Sequence, residues 1–515
     1  MTFGFRAMFF VILLMGLLYF PAWHGQFVYD DLWLVVRNPA IRSIHLFSFF
    51  AHPETVAVAG SGLASDIYRP LLTLSFACDF HAWKLATWPY HMENLFWHGI
   101  NGFLLWFLMR KILTRNDAAL FGASVFLLHP VQVQSVAWIA ERSNVLSGAG
   151  FLTALACLLW PEEKPFLKTF AGWATYAAAL FVKESVIVLP VVWFLLESLQ
   201  WRKSADKSSR RADLRNAGGL LFISGGYLIV RQKLLHHLSQ MPESPRILWA
   251  DATLGLMAFP VYLGKMLLPL ALRVSYQYPM VTTSKLVWAI GISAVYGGTM
   301  IWSWQRWPLV GRSLAWILVG LAPVLQIVPI RAFVAERFLY FPMMGFALLA
   351  GWGFEKYARR RWLLRFWLVM LGGLTVAAAF PWRDETRLWR NAVRQEPTNA
   401  FAQVCYAESL SDYVEAAEHY KAALRNTPSP DLRFSAMNNL AWINLQAHHP
   451  QEALLWSSRA LQEKPDDVHA LYNQCAAYLE LEKLSQARKV YQRLKVLTPE
   501  STEMLQNLSQ RLSRK

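Results

Sequence analysis

Asp30 and Asp31 stand side by side in the stretch GQFVYDDLWLVVRNP (25–39), just beyond an apolar run at 3–20. Carboxylates at a membrane edge among aromatic residues are partly desolvated, which disfavours the charged form and lifts the pKa towards neutrality. A group tuned in that way can take the proton of an attacking hydroxyl as a general base. Alone, such a pair reads more simply as a helix cap. What gives it weight is a set of cationic residues recurring beside later apolar stretches. These are Arg69 in YRP, His129 and Arg142 in LHPVQVQSVAWIAERSNVL, Lys183 in KES, Lys265 in YLGKMLLPLALRVSYQYP and Arg337 in AERFLYFP. A charge at bilayer depth costs roughly 2.5–3.5 kcal/mol, so several sharing one face imply a site. The six are expected to form a cationic ring around Asp30 and Asp31. Tyr68, Glu141, Glu184, Tyr276, Glu336 and Tyr340 lie in the same motifs and are assigned supporting roles. The plainer alternative for each cation is a side chain snorkelling to the interface.

The elements that must position these groups are read from hydropathy. A hydrocarbon core needs about 20 apolar residues as helix, and about eleven stretches qualify. They are 5–22, 92–109, 117–130, 144–160, 167–182, 185–199, 216–232, 284–304, 312–329, 337–354 and 363–380. Basic clusters follow the second and sixth stretches and join the eighth to the ninth and the tenth to the eleventh; the loop 200–215 is the richest. A cytoplasmic N-terminus puts all four clusters inside, as the positive-inside rule prefers. The segments 67–84 and 250–270 are then expected to lie in the plane of the membrane. The first outer loop is 23–91, and an odd span count leaves the C-terminal part outside, in a bacterial periplasm or a secretory lumen. No A-x-A-like cleavage site follows 3–20, so that run is expected to stay as the first span.

The hydropathy regime changes near Pro381, which divides the chain into 1–382 and 383–515. Ala453 and Ala487 are 34 apart, as are Pro465 and Pro499, the period of tetratricopeptide repeats. EALLWSSRALQEKP (452–465) and QARKVYQRLKVLTP (486–499) align, AAEHYKAALRNTP (416–428) shares their ending, and LWRNAVRQEP (388–397) resembles a cap. Such a solenoid is expected to bind a polypeptide along its concave face. The fold class is therefore all-α, a polytopic membrane body carrying a repeat solenoid.

With 55% hydrophobic residues and 24 Trp, the composition argues against an ordinary soluble enzyme. The net charge of +16 sits largely in connectors between apolar runs, which speaks for membrane sidedness and against nucleic acid. Cys78, Cys157, Cys405 and Cys475 form no metal-ligand spacing and no disulfide framework. Neither GxxxxGK[ST] nor GxGxxG occurs, so no nucleotide-binding motif is present in the sequence.

The ordered strings FVYDD, YRPLLTLSF, YHMENLFWHGINGFLLW, HPVQVQSVAWIAER, KES, LLPLALRVSYQYP and AERFLYFP, followed by the repeats, resemble the transmembrane and tetratricopeptide-repeat O-mannosyltransferases and their bacterial relatives. The resemblance covers nearly the whole chain. It implies a C-type, inverting glycosyltransferase in a membrane, a bacterial inner membrane by this reading. The donor would be a polyprenyl-phosphate sugar and the acceptor a protein Ser or Thr hydroxyl. Asp30 or Asp31 would be the base and the outer-face cations would hold the lipid phosphate. No cofactor is implied as certain, and no metal ligand is assigned; metal dependence stays open. The chain departs from the family at Gln134, where an acid is common, and at Ser143-Asn144, where relatives often carry Lys-Asp. Other readings are an oligosaccharide ligase, a non-catalytic membrane-anchored scaffold and a transporter.

Overall fold

A computed structural model describes residues 2–58, 67–160, 165–199, 207–235, 248–326, 330, 332–427, 429–498 and 503–513. Part of the first outer loop (59–66), part of the basic loop (200–206), Pro428 and Pro499 lie outside the described residues. Among the described residues every regular element is helical. The chain divides into two compact units, Met1–Asp384 and Glu385–Lys515.

In the first unit the helix Asn116–Leu128 is central, with nearly every side chain buried. It lies against Thr2–Leu18, Thr87–Ile112, Pro342–Lys356 and Arg361–Ala379. Small residues allow these close approaches: the Gly122 Cα faces the Ala347 carbonyl so closely that an added methyl would sit 2.6 Å from it. Helices Thr283–Arg306 and Arg361–Ala379 turn large apolar side chains outward, among them Trp288, Val295, Ile301, Trp362, Phe366 and Val369. An uncovered apolar surface of that extent suits a lipid solvent rather than water.

The expectation of about eleven spans does not hold. Among the described residues three helices are long and apolar enough to cross a membrane: Ile139–Leu159, Thr283–Arg306 and Arg361–Arg383. A fourth is added only if Asn116–Leu128 and Pro130–Ala137, bent by 48° at their junction, count as one. Hydropathy registers apolar residues whether or not one helix runs through them, and here several stretches are interrupted. The 185–199 stretch splits into a 3₁₀ turn, Glu184–Val188, and a helix of only nine residues, Leu189–Glu197. Pro308–Leu321 is 14 residues long and ends before Pro323. Thr87–Ile112 is long, but its polar His91, Glu93, His98 and Asn101 lower its hydropathy. The sidedness derived from an odd count of eleven falls with that count.

In the second unit successive helices pack as antiparallel pairs from Glu385–Gln395 to Glu503–Ser513. Ala453 and Ala487 occupy equivalent, fully buried positions on Pro450–Glu463 and Leu484–Leu497. Only a small side chain permits helices to approach so closely. The N-termini are capped from the side chains: Asn399 accepts from the Ala402 amide at 3.1 Å, Asp412 from Val414 at 2.8 Å and Asp467 from Ala470 at 2.9 Å.

Candidate active site

After the helix Phe20–Trp23 the chain makes a tight turn in which Tyr29 has φ 54°. A non-glycine residue in this left-handed region carries a backbone penalty, so surrounding contacts must hold it there. They do: the Tyr29 ring stacks on Trp138 at 5.3 Å, and Trp138 stacks on Trp382 at 5.5 Å. The turn separates the neighbouring carboxylates. Asp31 points inward and is fully buried, accepting the Val28 amide at 3.0 Å and the Ala140 amide at 2.7 Å. Asp30 stays partly accessible, and no described residue donates a hydrogen bond to its carboxylate. Asp31 anchors the loop; Asp30 is left for other work.

Opposite Asp30 lies a cluster organised by Glu141, at the head of the helix Arg142–Leu159. Glu141 Oε2 meets Lys183 Nζ at 2.9 Å and accepts from Asn144 Nδ2 at 2.8 Å, while Oε1 lies 3.3 Å from Arg337 Nε. Lys183 also donates to Ser143 Oγ at 3.2 Å, and the Arg337 guanidinium lies 5.4 Å from the Trp138 ring centre. Beyond Lys183, Arg69 grips Glu184 with two hydrogen bonds of 3.1 and 2.8 Å, and Arg231 approaches the same carboxylate at 3.8 Å. Arg69, Lys183, Arg231 and Arg337 thus face three carboxylates, Asp30, Glu141 and Glu184. The balance favours an incoming anion, the more so when Asp30 is protonated.

Crowding by the surrounding protein pushes the Asp30 carboxyl up to about 7; Glu141 adds to the rise and Arg337 opposes it. For Lys183, burial pulls the ammonium down to about 8 against the support of Glu141. Glu184 is buried, yet Arg69 and Arg231 outweigh that and hold it well below the usual carboxylate range. A near-neutral carboxyl facing fixed cations is an arrangement for moving a proton beside a negatively charged group.

No protein-family model matches the chain. It is 26% identical over 498 residues to protein O-mannosyl-transferase TMTC1 of Homo sapiens, covering 81% of this chain and 54% of that protein. Protein O-mannosyl-transferase F38B6.6 of Caenorhabditis elegans is 23% identical over 446 residues, covering 83% of this chain and 63% of its own length. For TMTC3 of Homo sapiens the identity is 20% over 546 residues, with 95% and 55% covered. The chain is distantly similar to eukaryotic protein O-mannosyl-transferases. It spans little more than half the length of the curated relatives it matches.

Three of the six cations expected around the aspartates are engaged elsewhere. Arg142 is fully buried; its Nη1 lies 2.6 Å from Asp79 and 3.1 Å from Glu93, and its Nε donates to Asn94 Oδ1 at 3.1 Å. His129 spans between the Met266 carbonyl at 3.0 Å and the Val131 amide at 3.3 Å. Lys265 donates to the carbonyls of Leu270 and Ala271 at 2.6 and 2.8 Å. Of the supporting residues, Glu336 accepts from the Arg273 amide at 2.9 Å and from the Tyr276 hydroxyl. Tyr340 Oη meets Asn101 Nδ2 at 2.7 Å and His98 Nδ1 at 3.0 Å, and Tyr68 donates to the Phe50 carbonyl at 2.9 Å. These groups shape the walls of the unit. Only Glu141 and Glu184 join the cluster near Asp30.

Sequence reasoning missed Arg231 and Trp138. Arg231 was detectable as a lone charge inside the apolar run 216–232; Trp138 carried no signal apart from its place in the HPVQVQSVAWIAER string. Gln134 accepts the Arg337 amide at 2.8 Å and so helps fix that residue's backbone. Among the described residues no three His, Cys, Asp or Glu side chains gather as a metal site.

Proposed function

We propose that the protein is a membrane glycosyltransferase that moves a sugar from a polyprenyl-phosphate donor to a Ser or Thr hydroxyl of a polypeptide. The observation carrying this reading is Asp30: a partly accessible carboxyl that accepts no hydrogen bond from a described residue and whose charge state responds to Arg337 and Glu141. The distant relatives are named protein O-mannosyl-transferases, which supports the same class.

In this reading Arg337 and Lys183 receive the donor phosphate, and Glu141 holds both cations in place until it arrives. The acceptor hydroxyl attacks the anomeric carbon, the bond from that carbon to the phosphate oxygen breaks, and the acceptor proton passes to Asp30. Polyprenyl phosphate leaves with the bonding electron pair, its growing charge met by fixed cations that favour the transition state over the ground state. One displacement inverts the anomeric centre. The units of the 385–515 region would hold the acceptor chain, since stacked helical pairs offer an extended concave surface.

The test is transfer of sugar from a polyprenyl-phosphate donor to a Ser/Thr peptide in reconstituted membranes. Wild-type protein is expected to glycosylate the peptide and Asp30→Asn to leave it unmodified. Equal rates for both would refute the proposal.

A further inference from the structure

Beside Glu184 lie buried polar groups that no described residue satisfies. Arg231, on the helix Lys207–Leu235, is 5% exposed; its Nη1 is 3.8 Å from Glu184 Oε2, beyond hydrogen-bond range, and donates to no described residue. Tyr227, one turn earlier, is equally enclosed; its hydroxyl lies next to the Arg231 guanidinium without a hydrogen bond of normal geometry. The Ser185 hydroxyl, on the residue after Glu184, is also buried and unbonded. A buried donor left unpaired is destabilising, more so when charged, and native proteins rarely leave several together. Arg231 and Tyr227, side by side next to Glu184, mark a place that a polar ligand completes.

The chemistry of the group selects the ligand. Arg231 can only donate, Tyr227 and Ser185 can donate or accept, and Glu184 can only accept. Arg69 holds the Glu184 carboxylate in two-pronged fashion, which fixes its orientation and leaves each oxygen a further lone pair. Hydroxyl groups, which donate and accept at once, satisfy such a mixture. A second phosphate would bring only acceptors against the Glu184 carboxylate. Lys183, the preceding residue in the chain, belongs to the cation cluster described above.

We propose that Arg231, Tyr227, Ser185 and Glu184 form the subsite that reads the hydroxyls of the transferred sugar. This rests on the reading of the protein as a transferase using a lipid-phosphate sugar. A site built to hydrogen-bond a hydroxyl discriminates strongly against ligands lacking it, because its own buried groups are then stranded.

The experiment compares two probes, polyprenyl phosphate and polyprenyl-phosphate mannose, binding to full-length protein in nanodiscs. Wild type is expected to bind the sugar-bearing lipid about tenfold more tightly than the bare one. Tyr227→Phe should bind the bare lipid like wild type and lose that increment; Arg231→Gln, which also removes a charge from the cation cluster, should lose the increment as well, whereas Lys183→Met should weaken both lipids alike. Tyr227→Phe removes a single oxygen, so it keeps the test valid if Arg231→Gln fails to fold. Variants that retain the increment, or weaken both lipids equally, overturn the subsite. Wild-type protein binding neither lipid defeats the transferase reading itself, and the subsite with it.

Discussion

Lys183 Nζ and Glu141 Oε2 lie 2.9 Å apart in the interior, on a carboxylate whose other oxygen is shared with Arg337. Glu141 therefore does two opposing things. It keeps two cations aligned, and its charge makes Asp30 harder to ionise.

That opposition predicts a pH profile. A base must be deprotonated, so kcat/KM should rise with pH through the Asp30 value of about 7. Lys183 must be charged to meet a phosphate, so the rate should fall again above about 8. Glu141→Gln removes a charge that raises the Asp30 pKa and should move the acidic limb to lower pH. Arg337→Gln removes a charge that lowers it and should move the limb upward. Identical profiles for the two variants would show that the limb does not belong to Asp30.

The two aspartates should fail differently. No described residue donates a hydrogen bond to the Asp30 carboxylate, so Asp30→Asn is expected to stop transfer with little change in melting temperature. Asp31 accepts two backbone amides on two different oxygens. An asparagine there can accept only one of them and turns an NH₂ group towards the other, a loss of about 1–3 kcal/mol. Asp31→Asn should therefore lower the melting temperature by several degrees, and thermal unfolding beside a transfer assay separates the two.

Much of this contrast could not be read from the chain. Adjacent carboxylates look alike until a backbone with Tyr29 at φ 54° sends one inward and leaves the other accessible. Helical character was legible because apolar periodicity is local. Span number was not, because a break such as that at Val188–Leu189 depends on packing and on Pro190, and a hydropathy window averages across it. Cation positions were legible as unusual charges in greasy surroundings. Their roles were not: Arg142 and Arg337 each follow a glutamate, yet Asp79 and Glu93, remote in sequence from Arg142, claim its guanidinium, while Glu141 takes that of Arg337.

Arg142 yields the next prediction. Its guanidinium is enclosed by Asp79, Glu93, Asn94 and the Tyr90 carbonyl. Removing one partner of a buried ion pair strands the other and costs about 3–5 kcal/mol. Arg142→Gln should lower the yield of folded protein and the melting temperature, while the surviving fraction keeps the wild-type KM for donor. A rise in donor KM with unchanged stability would instead put Arg142 at the phosphate.

The repeats allow a graded test of acceptor binding. In a stack of helical pairs each unit is stabilised by its neighbours, so local weakening spreads to the adjoining unit and little further. Asp467 caps the helix Val468–Glu480 through the Ala470 amide at 2.9 Å. Asp467→Ala should cost about 1 kcal/mol, seen as faster amide exchange across 468–480 in the full-length protein. If the repeats hold the acceptor chain, this variant should raise KM for a long polypeptide and leave that for a short Ser/Thr peptide unchanged. Deleting 385–515 should enlarge the same split while donor binding persists. Loss of donor binding on deletion, or equal effects on long and short acceptors, would assign the repeats a purely supporting role in the fold.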